Sequence, residues 1–177
     1  AWALPLRAED APAPGEKLKA ELEKLTGATF QVRSEGAVTV VSDAPEAFGE
    51  LCVKHVNEVL PLIRALAQFP KSAPRAERVQ VALFAKYAPF DAFTTARLGA
   101  CPGAFAYLHH EDPAKRAIAA FVLPAPPMLA RLRHAAGDAL LRLWIANPPR
   151  WLLTGLGECM EELAVDAAGK PAFGFAR

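Results

Sequence analysis

The chain lacks an excess of charge of either sign. Its 20 Lys and Arg residues stand against 19 Asp and Glu residues, which gives a net charge of +1, and no basic tract is present. Phosphate backbones are bound by clustered positive charge, so this pattern argues against nucleic acid as the main partner. The chain also has no uninterrupted apolar run of the ~18 residues that a transmembrane helix needs. We therefore expect no membrane-spanning segment.

Cysteine is scarce and scattered. Cys52, Cys101 and Cys159 are too far apart for a C-x-x-C metal or redox motif, and their odd number does not fit a disulfide framework. One disulfide with one free thiol stays open, but the pattern favours three small buried apolar side chains. Gly-rich phosphate loops, the G-x-S-x-G turn of hydrolases and nucleotide-binding fingerprints are absent as well.

Apolar residues, in contrast, are plentiful. They make up 53% of the 177 residues, which is typical of a domain that buries a core without disulfides or metal. Residues 1–15 are rich in Pro and Ala without periodicity and indicate a flexible leader or linker, and residues 16–177 a single domain. Ala1, Trp2 and Ala3 resemble the remnant of a signal cleavage region, which suggests export to the periplasm or the extracellular space. A trimmed cytoplasmic chain would look the same.

Hydrophobic periodicity predicts a mixture of helices and strands. The predicted helices are Glu16 to Leu25, Pro45 to Phe69, Tyr87 to Leu98, Pro126 to Ile145 and Trp151 to Val165. The predicted strands are Thr29 to Arg33, Ala37 to Ser42, Val79 to Phe84, Ala104 to Leu108 and Ile118 to Leu123. Pro61 is expected to kink or split the second helix. Together the elements predict an α+β fold: a small mixed or antiparallel sheet packed by the long second helix, followed by a pair of helices.

The residues best suited to chemistry lie on that final pair of helices. His134 and Asp138 are four residues apart and therefore share one face of the first helix, and Thr154 and Glu158 share one face of the second. The short Pro-rich link at 147–149 forces the two helices to pack near each other, so their polar side chains can meet. A zinc site on a helix pair uses this arrangement, with two ligands four residues apart and a third from the following helix.

The segment from Arg131 to Leu163 resembles the active-site helices of the gluzincin metallopeptidases, particularly the bacterial peptidase-MA-like families. In that group a His-Glu-x-x-His helix is followed by a motif of the form Pro-x-Trp-Leu-x-Glu-Gly-x-Ala-Glu-Tyr. Here residues 148–159 read Pro-Pro-Arg-Trp-Leu-Leu-Thr-Gly-Leu-Gly-Glu-Cys. The order of the preceding elements is similar too, so the resemblance extends over roughly Thr29 to Leu163. It implies a zincin-like pair of helices and, in active members, a catalytic zinc.

Carried over position by position, the resemblance implies a degenerate site. His134 falls on the first zinc ligand and Asp138 on the second histidine. Ala135 falls on the glutamate that activates the attacking water, and alanine has no group that accepts a proton. Thr154 falls on the third ligand, a glutamate, and Glu158 matches a supporting glutamate downstream. Loss of the general base alone lowers the rate on the order of 10² to 10⁴.

The leading hypothesis is therefore a non-catalytic, peptidase-like domain, or pseudopeptidase, without a cofactor. It would bind a peptide or protein segment by strand addition at a sheet edge. The alternative is a zinc-dependent peptidase with the unconventional ligands His134, Asp138 and Glu158. A second alternative is a structural fragment of a longer protein.

A plainer interpretation of the same residues stays open. His134 would be a polar residue at the edge of a packed helix, and Asp138 would form a surface ion pair with Arg142, four residues on. Cys159 is expected to be a buried structural thiol. Core packing is the expected role of the aromatic residues Phe105, Trp144 and Trp151.

Overall fold

A computed structural model describes residues 15–66, 79–110, 115–145, 147–165 and 171–173. The predicted leader, up to residue 14, and the predicted end of the second helix at 67–69 lie outside these ranges. The helices are α1 (Glu16–Thr26), α2 (Glu46–Leu66), α3 (Tyr87–Leu98), α4 (Ala125–Trp144) and α5 (Arg150–Glu161). The strands are β1 (Gln31–Glu35), β2 (Val38–Ser42), β3 (Val79–Phe84), β4 (Phe105–Leu108), β5 (Ala117–Phe121), β6 (Leu163–Val165) and β7 (Pro171–Phe173). Among the helices described, none is long and apolar enough to cross a membrane.

A mixed sheet of five strands forms the centre, in the order β1-β2-β3-β5-β4. The inner strands β2, β3 and β5 run parallel to one another, and β1 and β4 pair antiparallel at the two edges. Every residue of β2 and β3 is buried, because helices cover both faces of the parallel strands. The predicted α+β class and the small mixed sheet are confirmed.

The two faces of the sheet carry separate cores. Neighbouring residues of a strand point to opposite faces, so Leu83 belongs to one core and Phe84 to the other. The core under α2 and α4 includes Val40, Val81, Ile118, Val56, Ile63, Leu132 and Leu140. The core under α1 and α3 includes Phe30, Val41, Leu18, Leu22, Phe90 and Phe93. Helix α5 packs along α4 and contributes Met160 to the first core.

Two predictions about the helices are wrong. The expected split at Pro61 is wrong, since α2 runs through this residue, which lies on its exposed side. The expected extension of the last helix to Val165 is also wrong. Helix α5 ends at Glu161, where Arg133 Nη2 donates a hydrogen bond to the Glu161 carbonyl at 2.6 Å. The β-prone residues that follow form β6, which pairs with β7 as a separate two-stranded sheet.

The three cysteines are free, and they differ in burial. Cys52 is buried in α2, and this burial raises the pKa of its thiol to about 12. Cys101 is half-buried, with its sulfur 3.2 Å from the Tyr87 hydroxyl. Cys159 is exposed on the solvent side of α5, so the prediction of a buried thiol is wrong there. The expectation of three buried thiols therefore holds for Cys52 alone.

Candidate functional site

The candidate site lies where α4 passes between the edge strand β4 and helix α5. The His134 ring meets the Phe105 ring of β4 edge to face, with ring centroids 5.0 Å apart. On its other side the same ring lies so close to Gly157 of α5 that a Cβ there would overlap it. We call the surface formed by Phe105, Arg131, His134 and Asp138 the β4 surface.

His134 is held in place by a carboxylate from α5. Its Nδ1 lies 2.7 Å from Oε1 of Glu161 and, since a carboxylate only accepts, Nδ1 is the donor. The same Glu161 oxygen accepts a hydrogen bond of 3.2 Å from Arg131, whose guanidinium lies 5.3 Å from the Phe105 ring centroid. The His134 side chain is 17% exposed. These contacts fix the ring and join β4, α4 and α5 at one point.

Asp138, one turn further along α4, has an incomplete set of partners. The residue is half-buried, and its Oδ1 is shielded from solvent with no hydrogen-bond partner among the described residues. Burial raises the pKa of its carboxyl, and the charges of His134 and Arg142 act in the opposite direction. Neither forms an ion pair of 4 Å or less with Asp138. The predicted surface ion pair with Arg142 is therefore wrong, and one of the two carboxylate oxygens, Oδ1, is turned away from solvent.

The other predicted positions do not join this surface. Ala135, in the place of the water-activating glutamate, is fully buried in the core under α4. Thr154 and Glu158 are exposed on α5. The residues of α5 that meet His134 are instead Gly157 and Glu161, and sequence reasoning missed both. The rotation of α5 about its own axis decides which residues face α4, and the sequence alone does not give that rotation.

The three residues of the zinc alternative, His134, Asp138 and Glu158, do not come together in the structure. Over the part of the chain that the structure describes, no three His, Cys, Asp or Glu side chains lie close enough together to hold a metal ion. His134 and Asp138 share a face of α4, but Glu158 lies on the exposed side of α5. A catalytic zinc needs about three protein ligands, so the donor set of these three residues does not fit the ion here.

A second polar junction, also missed, lies behind the β4 surface. Arg133 donates to the carbonyls of Met160 and Glu161 at the end of α5, at 2.9 and 2.6 Å. Its Nη1 lies 3.3 Å from Nε2 of His55 in α2. Burial, with the Arg133 charge second, lowers the pKa of His55 to about 4. A neutral His55 therefore accepts from Arg133, and the pair connects α2, α4 and α5 across a separation of 78 residues.

The aromatic residues also depart from the sequence expectation. Trp151 is 73% exposed at the start of α5, so its predicted place in the core is wrong. It follows Pro149 and Arg150 at the N-terminus of α5. Phe105 packs against the core with one side of its ring, as expected. The side chain of Trp144 lies outside what the structure describes.

Strand β4 is the edge of the sheet beside this surface. In the ranges that the structure describes, it pairs with β5 on one side only. Its residues Phe105 to Leu108 carry no charge, and an edge strand presents backbone N–H and C=O groups on its outer side.

Compared with models of known protein families, the chain matches none of them, and none of the curated proteins compared matches it. The geometry of β4 and its surroundings is therefore what bears on function.

Proposed function

We propose that this chain is a non-catalytic, peptidase-like domain that binds an extended peptide or protein segment along β4. The observation that carries the proposal is the outer edge of β4: among the described residues this uncharged strand pairs only with β5, and α4 packs against it. A segment added to this edge would form main-chain hydrogen bonds with it, and side chains pointing alternately up and down would supply specificity. The resemblance of Arg131 to Leu163 to gluzincins supports a peptide as the ligand.

The residues around β4 support binding without hydrolysis. Ala135 offers no proton acceptor and is buried, so a water molecule has no base at that position. The nearest carboxylate to His134 is Glu161, and its Oε1 is already bound by the His134 ring and by Arg131. His134, Arg131 and Glu161 are therefore bound to one another.

The other edge of the sheet is a poorer acceptor for a strand. Strand β1 carries Arg33, which forms ion pairs with Glu46 and Glu50 of α2. Charged side chains on an edge strand are a common protection against pairing with further strands. Strand addition is therefore expected at β4 and not at β1.

Backbone recognition is tested with N-methylated peptides. The probe is an acetylated and amidated heptapeptide of alternating threonine and valine, titrated into isotopically labelled protein and followed by the amide signals. We expect the largest shifts at Phe105–Leu108 and little change at Gln31–Glu35. Methylating every second backbone nitrogen should abolish binding for one of the two alternating sets and leave it for the other. Equal binding of both methylated peptides would overturn strand addition.

The zinc peptidase alternative is tested separately. Protein purified without chelator is analysed for metal, with added zinc as a control, and incubated with the same peptides for detection of cleavage by mass spectrometry. We expect neither stoichiometric zinc nor cleavage. Stoichiometric zinc that is lost in His134→Ala, or cleavage that requires His134, would overturn the non-catalytic proposal in favour of the peptidase.

A further inference from the structure

Asp138 is the residue of the β4 surface for which the proposed function gives no role. Its Oδ1 is shielded from water and has no hydrogen-bond partner within the described part of the chain. Buried acceptors without partners are rare in folded proteins and lower their stability, so each calls for an explanation. The residue as a whole is only half-buried, and Oδ2 is not among its shielded atoms, so a group outside the protein would meet the carboxyl at Oδ2.

Three of the four basic side chains on this part of α4 are bound to other groups. Arg131 and His134 both bind Glu161, and Arg133 binds the carbonyls that end α5. Arg142 acts on Asp138 through its charge but makes no ion-pair contact with it. Asp138 is thus a carboxylate for which the described protein supplies no hydrogen-bond donor.

The position of Asp138 matches that of a segment bound along β4. Helix α4 follows β5 after only residues 122–124 and packs back on β4 and β5, so it runs antiparallel to β5 and in the direction of β4. From His134, which faces Phe105, one turn of α4 advances about 6 Å to Asp138. Two residues of β4 advance about 7 Å to Tyr107. Asp138 therefore lies level with the middle of the edge strand.

We propose that Asp138 is a recognition subsite for a primary ammonium group, a lysine side chain or an N-terminus, on the segment bound along β4. This inference rests on the proposed function and specifies the ligand of the same surface. A compact ammonium can meet a carboxylate that has one oxygen shielded, whereas the planar fork of a guanidinium needs both oxygens accessible. A metal ion would need a third ligand that the described residues do not bring to this point.

The test uses a set of matched heptapeptides and one isosteric variant. The peptides have alternating threonine and valine with a central lysine, acetyl-lysine or norleucine, each with an acetylated N-terminus. A fourth has norleucine and a free N-terminus. Affinities are measured by fluorescence anisotropy for the wild-type chain, for Asp138→Asn and for the control Asp91→Asn, which makes the same change in α3 on the opposite face of the sheet.

We expect at least one ammonium peptide, lysine or free N-terminus, to bind the wild-type chain about tenfold tighter than the acetylated norleucine peptide, the effect of one charge-assisted hydrogen bond. Acetyl-lysine should bind like norleucine. In Asp138→Asn the preference should disappear, whereas Asp91→Asn should keep both the preference and the affinity for the norleucine peptide. The lysine and free N-terminus arms identify the source of the ammonium.

Other results would overturn the subsite, and they separate it from the proposed function. Norleucine binding without any gain from an ammonium would refute the subsite and keep strand addition. Absence of binding for every peptide would refute both. A preference that survives in Asp138→Asn would refute the role of this residue. Zinc binding that is lost in both Asp138→Asn and His134→Ala would replace the subsite with a metal site. The comparison among peptides on the wild-type chain stays informative even if Asp138→Asn fails to fold.

Discussion

The two edge strands of the sheet, β1 and β4, are protected in different ways. Strand β1 is largely exposed, and its Arg33 binds Glu46 and, at 2.7 Å, Glu50, through side chains that are 39–69% exposed. Strand β4 has no charged residue, and behind it α4 and α5 are joined by tightly packed and partly buried contacts. Strand β1 is shielded by charged side chains in solvent. Strand β4 is uncharged and has packed helices behind it. The comparison shows that the two edges of one sheet differ in the charge they carry and in the packing behind them.

The difference between β1 and β4 predicts that substitutions near the two strands change the free energy of unfolding by different amounts. Contacts behind β4 exclude water, so their loss or overcrowding is costly. Contacts at β1 are solvent-exposed ion pairs, which contribute little. Substitutions should therefore have their largest effects behind β4 and their smallest at β1.

The largest effect is expected from Ala135→Glu. The change places a carboxylate among apolar residues of the core under α4, and an unpaired buried charge lowers the free energy of unfolding by about 3–5 kcal/mol. Urea denaturation measures it, with Ala130→Glu at a half-buried position of the same helix as the control. The control should cost about 1 kcal/mol or less. Wild-type stability of Ala135→Glu would contradict the packing behind β4. The variant should also show no peptidase activity.

The next effect compares two glycines of α5. Gly157→Ala places a methyl group against the His134 ring and should lower the free energy of unfolding by about 1–3 kcal/mol. Gly155→Ala, with nothing within 4 Å of the new methyl group, should raise it by up to about 1 kcal/mol through helix propensity. In a His134→Ala background the penalty of Gly157→Ala should vanish. If Gly157→Ala and Gly155→Ala changed the free energy of unfolding equally, the His134 ring would not be in close contact with Gly157.

The stability of the protein is expected to depend on pH through His55 of α2. Burial and then Arg133 lower its pKa from 6.5 to about 4, so the unfolded chain takes up the proton first as the pH falls. Stability is then constant above about pH 6.5 and decreases by about 1–3 kcal/mol as the pH falls to 4. His55→Gln, which keeps an acceptor for Arg133, should remove this part of the pH dependence. An identical pH profile for wild type and variant would contradict a neutral buried His55.

The smallest effect is expected at β1. Arg33→Ala removes two exposed ion pairs and should lower the free energy of unfolding by about 0.2–1 kcal/mol, and by less in 1 M salt. Peptide binding along β4 should not change. A loss of several kcal/mol would reverse the gradient between the edges, and new binding at β1 would show directly that Arg33 protects that strand.

Local signals predicted most of the fold. The bounds of β3 and α3 agree with the sequence prediction to the residue, because turn residues enclose clear periodic patterns. The end of α5 was missed because Arg133, 27 residues before Met160, binds the carbonyls there. Such a contact exists only once the helices have packed. In the same way, the spacing of four placed His134 and Asp138 on one face, but no local pattern shows that Glu161 binds His134.

The close approach of Gly157 to His134 also limits how this surface can change. Because the ring occupies the space where a side chain would stand, α5 cannot turn to bring Thr154 toward His134 without separating the two helices. Replacing Thr154 with a glutamate would therefore add a charge in solvent and not a third ligand. A third ligand supplied by α5 at this height would therefore require a wider spacing between α4 and α5.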